Sequence, residues 1–176
     1  RALHQRRELD FIGGWGIPAN SHPVRWIHRE IVSKLRELSP EITVHVLGDM
    51  PDTARRELAV PGMELHGRVA ELTPWLDACL ASLAPLRFGA GVKGKINMAM
   101  SHGVPVIATT LAIEGMQLTD EVDVLVADDA AAFVRAVQRL QADENLWQRL
   151  SGNSLENVRR HFSAAAADAV LHRVLD

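Results

Sequence analysis

A single cysteine, Cys79, in a chain of 176 residues leaves no internal disulfide to staple the fold. It lies in an apolar run, which reads as a buried thiol in a reducing compartment, so a cytoplasmic location is the expectation. No apolar run approaches the ~18 residues of a membrane-spanning helix. Neither charge sign dominates: 19 basic against 22 acidic residues give a net charge of -3, without the footprint of a nucleic-acid or anionic-lipid surface. A small anionic ligand stays open, because one pocket can be basic on a mildly acidic surface. Repeats are absent, and the alanine run 164–167 is simply a strong helix former. The eight histidines show no zinc-ligand spacing, so no metal site is expected. Arg1 opens the chain without a targeting leader, and the expectation is a piece of a longer protein. What is there is ordinary for one globular domain: 47% hydrophobic and 23% charged residues, too short for two catalytic lobes.

The hydrophobic pattern alternates between short strand-like runs and helical periodicity. Strands are predicted over 9–14, 42–47, 63–67, 79–85, 104–108 and 122–127. The run 79–85 is apolar nearly throughout, as expected of a strand covered on both faces. Trp15 to Pro23, with Gly16, Pro18 and Asn20, reads as loop. A helix is predicted over 23–38, with Ser21 as candidate N-cap and Pro40 as its stop. One or two helical turns follow over 71–77, then helices over about 92–102, 129–142, 144–160 and 163–175. Strands separated by helices with short connections imply a three-layer α/β domain, a parallel sheet of about six strands with helices on both faces. Ligands of such sheets bind beyond the carboxyl ends of the strands. That rule nominates the loops 13–21, 48–53, 86–95 and 109–116.

The loop Gly89-Ala90-Gly91-Val92-Lys93-Gly94-Lys95 joins the apolar strand to a helix. Its glycines let backbone N–H groups approach a ligand, and a helix N-terminus adds partial positive charge. Lys93 and Lys95 stand at that same end with Arg87 just upstream, a cationic cluster opposed to the helix dipole unless an anion offsets it. Gly89, Gly94 and Lys95 fit the spacing of a P-loop, but Ile96 stands where Ser or Thr would hold Mg²⁺. Gly14-x-Gly16-x-x-Ala19 mimics a dinucleotide fingerprint, yet Pro18 and Pro23 argue against an immediate helix, and no acidic residue closes a second strand about 20 residues on.

Taken together, the chain resembles the C-terminal, donor-binding half of the retaining glycosyltransferases of group 1 (family 4), which have the two-lobed GT-B fold. The resemblance runs through Phe11-Ile12-Gly13-Gly14, Pro18-Ala19-Asn20 and Val46-Leu47-Gly48. Its specific part is 85–115, from Pro85-Leu86-Arg87-Phe88-Gly89 through Lys95-Ile96 and Gly103-Val104-Pro105-Val106 to Glu114-Gly115. It implies a nucleoside-diphosphate sugar as donor, no metal cofactor, and retention at the anomeric carbon. It also implies a glycan or lipid-linked acceptor bound by an N-terminal lobe outside residues 1–176, and leaves room for peripheral membrane association of the full-length protein.

The roles that follow are those the resemblance implies. Lys95 and Arg87 neutralise the diphosphate, and Gly13 and Gly14 give diphosphate and sugar room. Gly89, Ala90, Gly91, Val92 and Lys93 present backbone N–H groups and charge to the donor, while Glu114 and Gly115 lie on its nucleoside side. One departure stands out. Many members carry two glutamates eight residues apart here, and this chain has Ala90 and Met98. Met98 then packs on base or ribose or lies under the other lobe, and Asn97 and Glu114 are left as candidates for the ribose hydroxyls. The alternative is a non-catalytic GT-B module that binds nucleotide or scaffolds a partner. A sugar-nucleotide epimerase of the same fold is disfavoured, because 85–115 does not resemble that family. Trp75 and Trp147 read as helix-packing residues, Asp129 as a helix cap and His102 as a last-turn cation, while Trp15 either stacks on a ligand or packs under a second lobe.

Overall fold

The computed structural model describes residues 3–89 and 91–163. The predicted helix over 163–175 falls outside these apart from Ser163. Six strands, β1 (Glu8–Ile12), β2 (Thr43–Leu47), β3 (Met63–Gly67), β4 (Cys79–Ala84), β5 (Val106–Ala108) and β6 (Leu125–Val126), form one sheet in the order β3-β2-β1-β4-β5-β6. Every pairing is parallel. The chain builds outward from β1 to β3, crosses back to β4, and builds outward in the opposite direction. The reversal leaves a crevice between the carboxyl ends of β1 and β4, where connections depart to opposite sides.

Burial decides which strands are central. All six residues of β4 are buried, whereas β3, on the sheet edge, keeps Glu64 exposed. Leu9 and Phe11 of β1, Val44 and Val46 of β2 and Leu83 of β4 are almost fully excluded from solvent. Cys79 is a buried thiol whose pKa burial pushes up, as the composition suggested. The helices are α1 (Pro18–Trp26), α2 (Val32–Leu38), α3 (Asp52–Leu58), α4 (Thr73–Leu76), α5 (Gly94–Ser101), α6 (Thr110–Ile113), α7 (Ala130–Ala142) and α8 (Glu144–His161). A π-helical turn, Ile27–Ile31, joins α1 to α2. Trp26 meets Phe133 edge-to-face at 5.5 Å, locking α1 onto α7, a pairing worth about 0.5–1.5 kcal/mol beyond its area.

Several boundaries differ from the sequence reading for identifiable reasons. The stretch 15–23 is not all loop, because Pro18 occupies the first position of α1, where a missing N–H costs nothing. Ile17 holds the N-cap position and Ser21 lies inside the helix, so Ser21 is not the cap. Pro18 therefore opens a helix immediately, contrary to the expectation that the prolines would prevent one. Helix α3 was not legible, since its seven residues are mostly charged and only Ala54 and Leu58 are buried. The sixth strand shrinks to Leu125–Val126, because Asp120 accepts from the backbone N–H groups of Glu121 and Val126 and turns the chain at that point.

Asp129 caps α7 as expected, accepting from the Ala132 N–H at 2.8 Å. Its neighbour Asp128 accepts from the Thr110 N–H at 2.8 Å and the Thr110 hydroxyl at 2.7 Å, fastening α6 to the end of β6. Asp128→Ala is expected to lower stability by about 1 kcal/mol, a drop of a few degrees in melting temperature by calorimetry.

Candidate functional site

The two loops at the crevice are held by different means. Beyond β1, the Gly13 N–H donates to the Leu47 carbonyl at 2.9 Å, and the Trp15 N–H to the Asp49 carbonyl at 2.7 Å. The loop after β1 thus lies against the loop after β2. Gly48 makes that approach possible: its φ is +149°, and an added Cβ would sit 2.3 Å from the Gly13 carbonyl oxygen. Gly14 by contrast has open space on its Cβ side. Ile12, Gly13, Gly14 and Gly48 line a shallow depression together with Arg68 and Leu72.

Asn20, from the first turn of α1, closes the arrangement. Its amide nitrogen donates to the Gly14 carbonyl at 3.0 Å, and its amide oxygen accepts from the Lys95 ammonium. Lys95 reaches across from the first turn of α5, with its Nζ 4.4 Å from the centre of the Phe11 ring. Burial among these groups pushes the Lys95 pKa down to about 8. Gly13, Gly14 and Lys95, predicted separately, are therefore one connected unit. Asn20 and the Phe11 ring are the members that sequence reasoning missed as site residues. Their position beside Gly13-Gly14 was the available signal.

The second loop leaves backbone free. Gly89 and Gly91 adopt φ of +119° and +75°, and among the described residues no atom beyond their chain neighbours lies within 4 Å of an added Cβ at either position. Ala90 between them lies outside the described residues. Helix α5 begins with Lys93 at its N-cap and no side-chain cap, so its first N–H groups are left for solvent or an anion. Lys93 itself turns away. Its N–H donates to the Met116 sulfur at 3.1 Å and its ammonium to the Glu114 carbonyl at 3.4 Å. It ties the loop before α5 to the turn at Gly115, where φ is +73°, and the Glu114 side chain remains exposed.

Arg87 stands apart from Lys95 in its contacts. It is exposed, stacks over the Trp26 ring at 4.6 Å, and lines a basic cavity with His22, Arg25, Arg29 and Glu30. Asn97 is half-buried, and its amide oxygen has no partner among the described residues. Met98, 42% exposed, lies on the solvent side of α5, and Ile17, Phe88 and Val92 are exposed as well. Trp15 carries the Arg25 guanidinium over its ring at 4.9 Å. Trp147 donates from its ring N–H to the Leu80 carbonyl at 2.7 Å, holding α8 to the sheet.

A profile of the family described as Glycosyl transferases group 1 matches residues 6–143, most of the chain. The protein belongs to the group 1 glycosyltransferases. No curated protein matches its sequence. Among solved structures, it is similar to HepE from Anabaena in complex with UDP and glucose, at a TM-score of 0.78 and 13% identity over 98% of this chain and 49% of that one. It is also similar to sucrose-phosphate synthase from Thermosynechococcus elongatus, at 0.73 and 20% over 98% and 46% of the two chains. The C-terminal domain of a group 1 glycosyltransferase, LpcC from Francisella tularensis, aligns at 0.69 and 15% over 89% and 87%. At these identities the likeness carries the fold: one lobe of the two-lobed GT-B architecture. The chain spans less than half the length of HepE and of sucrose-phosphate synthase.

Proposed function

We propose that this chain is the donor-binding lobe of a retaining glycosyltransferase, which moves a sugar from a nucleoside diphosphate to a glycan or lipid-linked acceptor held by an N-terminal lobe. The observation that carries the reading is the half-buried Lys95 ammonium at the switch point, joined through Asn20 to the Gly13-Gly14 loop. A half-buried cation held, among the described residues, by a neutral amide and an aromatic ring is under-compensated, and a diphosphate supplies the missing negative charge.

In this reading the diphosphate lies between Gly14 and the uncapped N-terminus of α5. Lys95 meets its charge, Arg87 adds a second cation from the rim, and Gly89, Gly91 and Val92 offer backbone N–H groups. As the glycosidic bond to the diphosphate breaks, the leaving oxygen takes up the electron pair, and Lys95 stabilises it where the charge develops. The acceptor oxygen forms the new bond to the anomeric carbon and gives up its proton to the departing diphosphate oxygen. Lys93 positions Glu114 and Gly115 rather than touching the donor, leaving Glu114, Asn97 and the exposed Met98 on the nucleoside side. The two side-chain cations do the work of charge neutralisation, so the reading calls for no divalent ion at the diphosphate.

A second reading is favoured by one observation. With Met98 exposed on α5 and alanine at position 90, the paired glutamates of the family are gone, which suits a module that binds nucleotide without transferring sugar. Thermal shift against UDP-, GDP- and ADP-sugars tests the site itself. A bound donor at ~100 times its dissociation constant should add about 2.7 kcal/mol, and at the same concentration Lys95→Ala should cut this to about 0.4–1.4 kcal/mol. No shift with any sugar nucleotide at millimolar concentration would count against the donor site. Sugar transfer by the full-length protein then separates enzyme from module.

A further inference from the structure

Away from the crevice, the outer edge of the sheet holds a cluster that neither the fold nor the proposed donor site explains. His45 of β2 is the register partner of Glu64 on β3, and His66 follows Glu64 by two residues. Strand alternation therefore sets Glu64 and His66 on one face, with His45 beside them. The His45 Nδ1 and His66 Nε2 atoms lie 2.8 Å apart. The Glu64 Oε2 atom is 3.6 Å from the first and 3.4 Å from the second.

We propose that His45, Glu64 and His66 bind one divalent transition-metal ion, zinc foremost, with water completing the coordination. The three facing atoms form a triangle with edges of 2.8, 3.4 and 3.6 Å. Four ligands at ~2.0–2.1 Å around a tetrahedral ion stand about 3.3–3.4 Å apart, so only the two imidazoles need to separate slightly. Two imidazoles and a carboxylate are a donor set suited to zinc, and to copper, nickel or cobalt, rather than to magnesium or calcium. The nitrogens need only a tautomer change to offer lone pairs to the ion, since the hydrogen shared between them can reside on the far ring nitrogen.

The surroundings fix the rings and leave a way in. Trp75 lies 5.4 Å from the His45 ring and 4.3 Å from the His66 ring, centre to centre, so it walls both imidazoles rather than only packing a helix. The His45 side chain is 10% exposed and the Glu64 side chain 59%, so the site opens to solvent on the carboxylate side. The opposing charge nearby is Arg55, which donates to the Leu65 and His66 carbonyls. Asp52, 3.3 Å from that guanidinium, offsets part of it. A bound ion would fasten the edge strand β3 to β2.

The test is a titration of the 176-residue chain, free of any affinity tag, with Zn²⁺ in competition with a chromophoric chelator, and with Co²⁺ followed by visible absorption. One equivalent of zinc should bind with a dissociation constant on the order of 1 μM or tighter, and Co²⁺ should show the intense bands of a four-coordinate ion. His66→Gln and Glu64→Gln should each weaken zinc binding at least ~10-fold, while His102→Gln, which alters a histidine elsewhere, should not. Circular dichroism monitors folding, and should His66→Gln fail to fold, the exposed Glu64→Gln decides alone. Zinc affinity weaker than ~100 μM, or affinity unchanged in the folded variants, would overturn the site.

Discussion

Asp10→Asn should stabilise the protein above pH 6 and leave its stability at pH 4 almost unchanged. Asp10 sits in the middle of β1 with no exposure to solvent. One carboxylate oxygen accepts from the Ser82 hydroxyl and the other from the Cys79 thiol at 3.3 Å. Burial penalises the charge more than these two bonds favour it, and the pKa rises from 3.8 to about 6. Between those values the folded protein binds the proton that the unfolded chain has released, so stability falls as pH rises through this window. Two pKa units amount to roughly 3 kcal/mol. Asparagine has nearly the shape of the neutral acid, still accepts from Ser82, and presents an N–H toward the Cys79 sulfur. Chemical denaturation across pH 4–8 should therefore give a sloping profile for the parent protein and a flatter one for the variant. Equal destabilisation at both ends would mean that the ionised carboxylate has a compensating role.

Affinity for a sugar nucleotide should fall about tenfold between pH 7 and pH 9, and Lys95→Ala should be both weaker and insensitive over that range. A lysine with a pKa of about 8 is mostly protonated at pH 7 and about one-tenth protonated at pH 9. A diphosphate esterified at both ends does not titrate in this window, so the phosphates do not contribute to the dependence assigned to the lysine. In the absence of ligand the sign is opposite. Between about 8 and 10.5 the unfolded chain binds the proton more tightly, so the contribution of Lys95 to stability rises with pH. The alanine variant loses a charge-assisted contact of ~1.5–3 kcal/mol, roughly 10- to 100-fold in affinity. Calorimetric titration of both proteins at three pH values separates this from general loss of stability, because alanine also removes a half-buried charge. A slope retained in Lys95→Ala would assign it to another group.

Much of the candidate site was legible as residue types. Gly13-Gly14, the glycines of 89–94 and the cations Arg87, Lys93 and Lys95 all lie at strand ends, and strand–helix alternation alone places such ends along one edge of a parallel sheet. Their division of labour was not legible. Lys93 and Lys95 are two residues apart, yet one is tied to the Met116 and Glu114 turn and the other reaches Asn20 across the switch point. Helix N-termini put neighbouring side chains on different faces, and only the packed loops decide which face meets which.

By itself, the sequence determined the layer architecture and the central, doubly covered β4, because periodicities of two and of 3.6 residues and an unbroken apolar run are local properties of the chain. The tertiary structure decided what distance along the chain conceals. It placed Asp10 against Cys79 and Ser82, about 70 residues away, where loss of water rather than any neighbouring charge sets the pKa. It gathered His45 with Glu64 and His66, a cluster invisible as linear spacing because strand register, not sequence separation, brings the ligands together. It opened α1 at Pro18, since a proline forbidden inside a helix is favoured at its first position, and only the fold reveals where that first position falls.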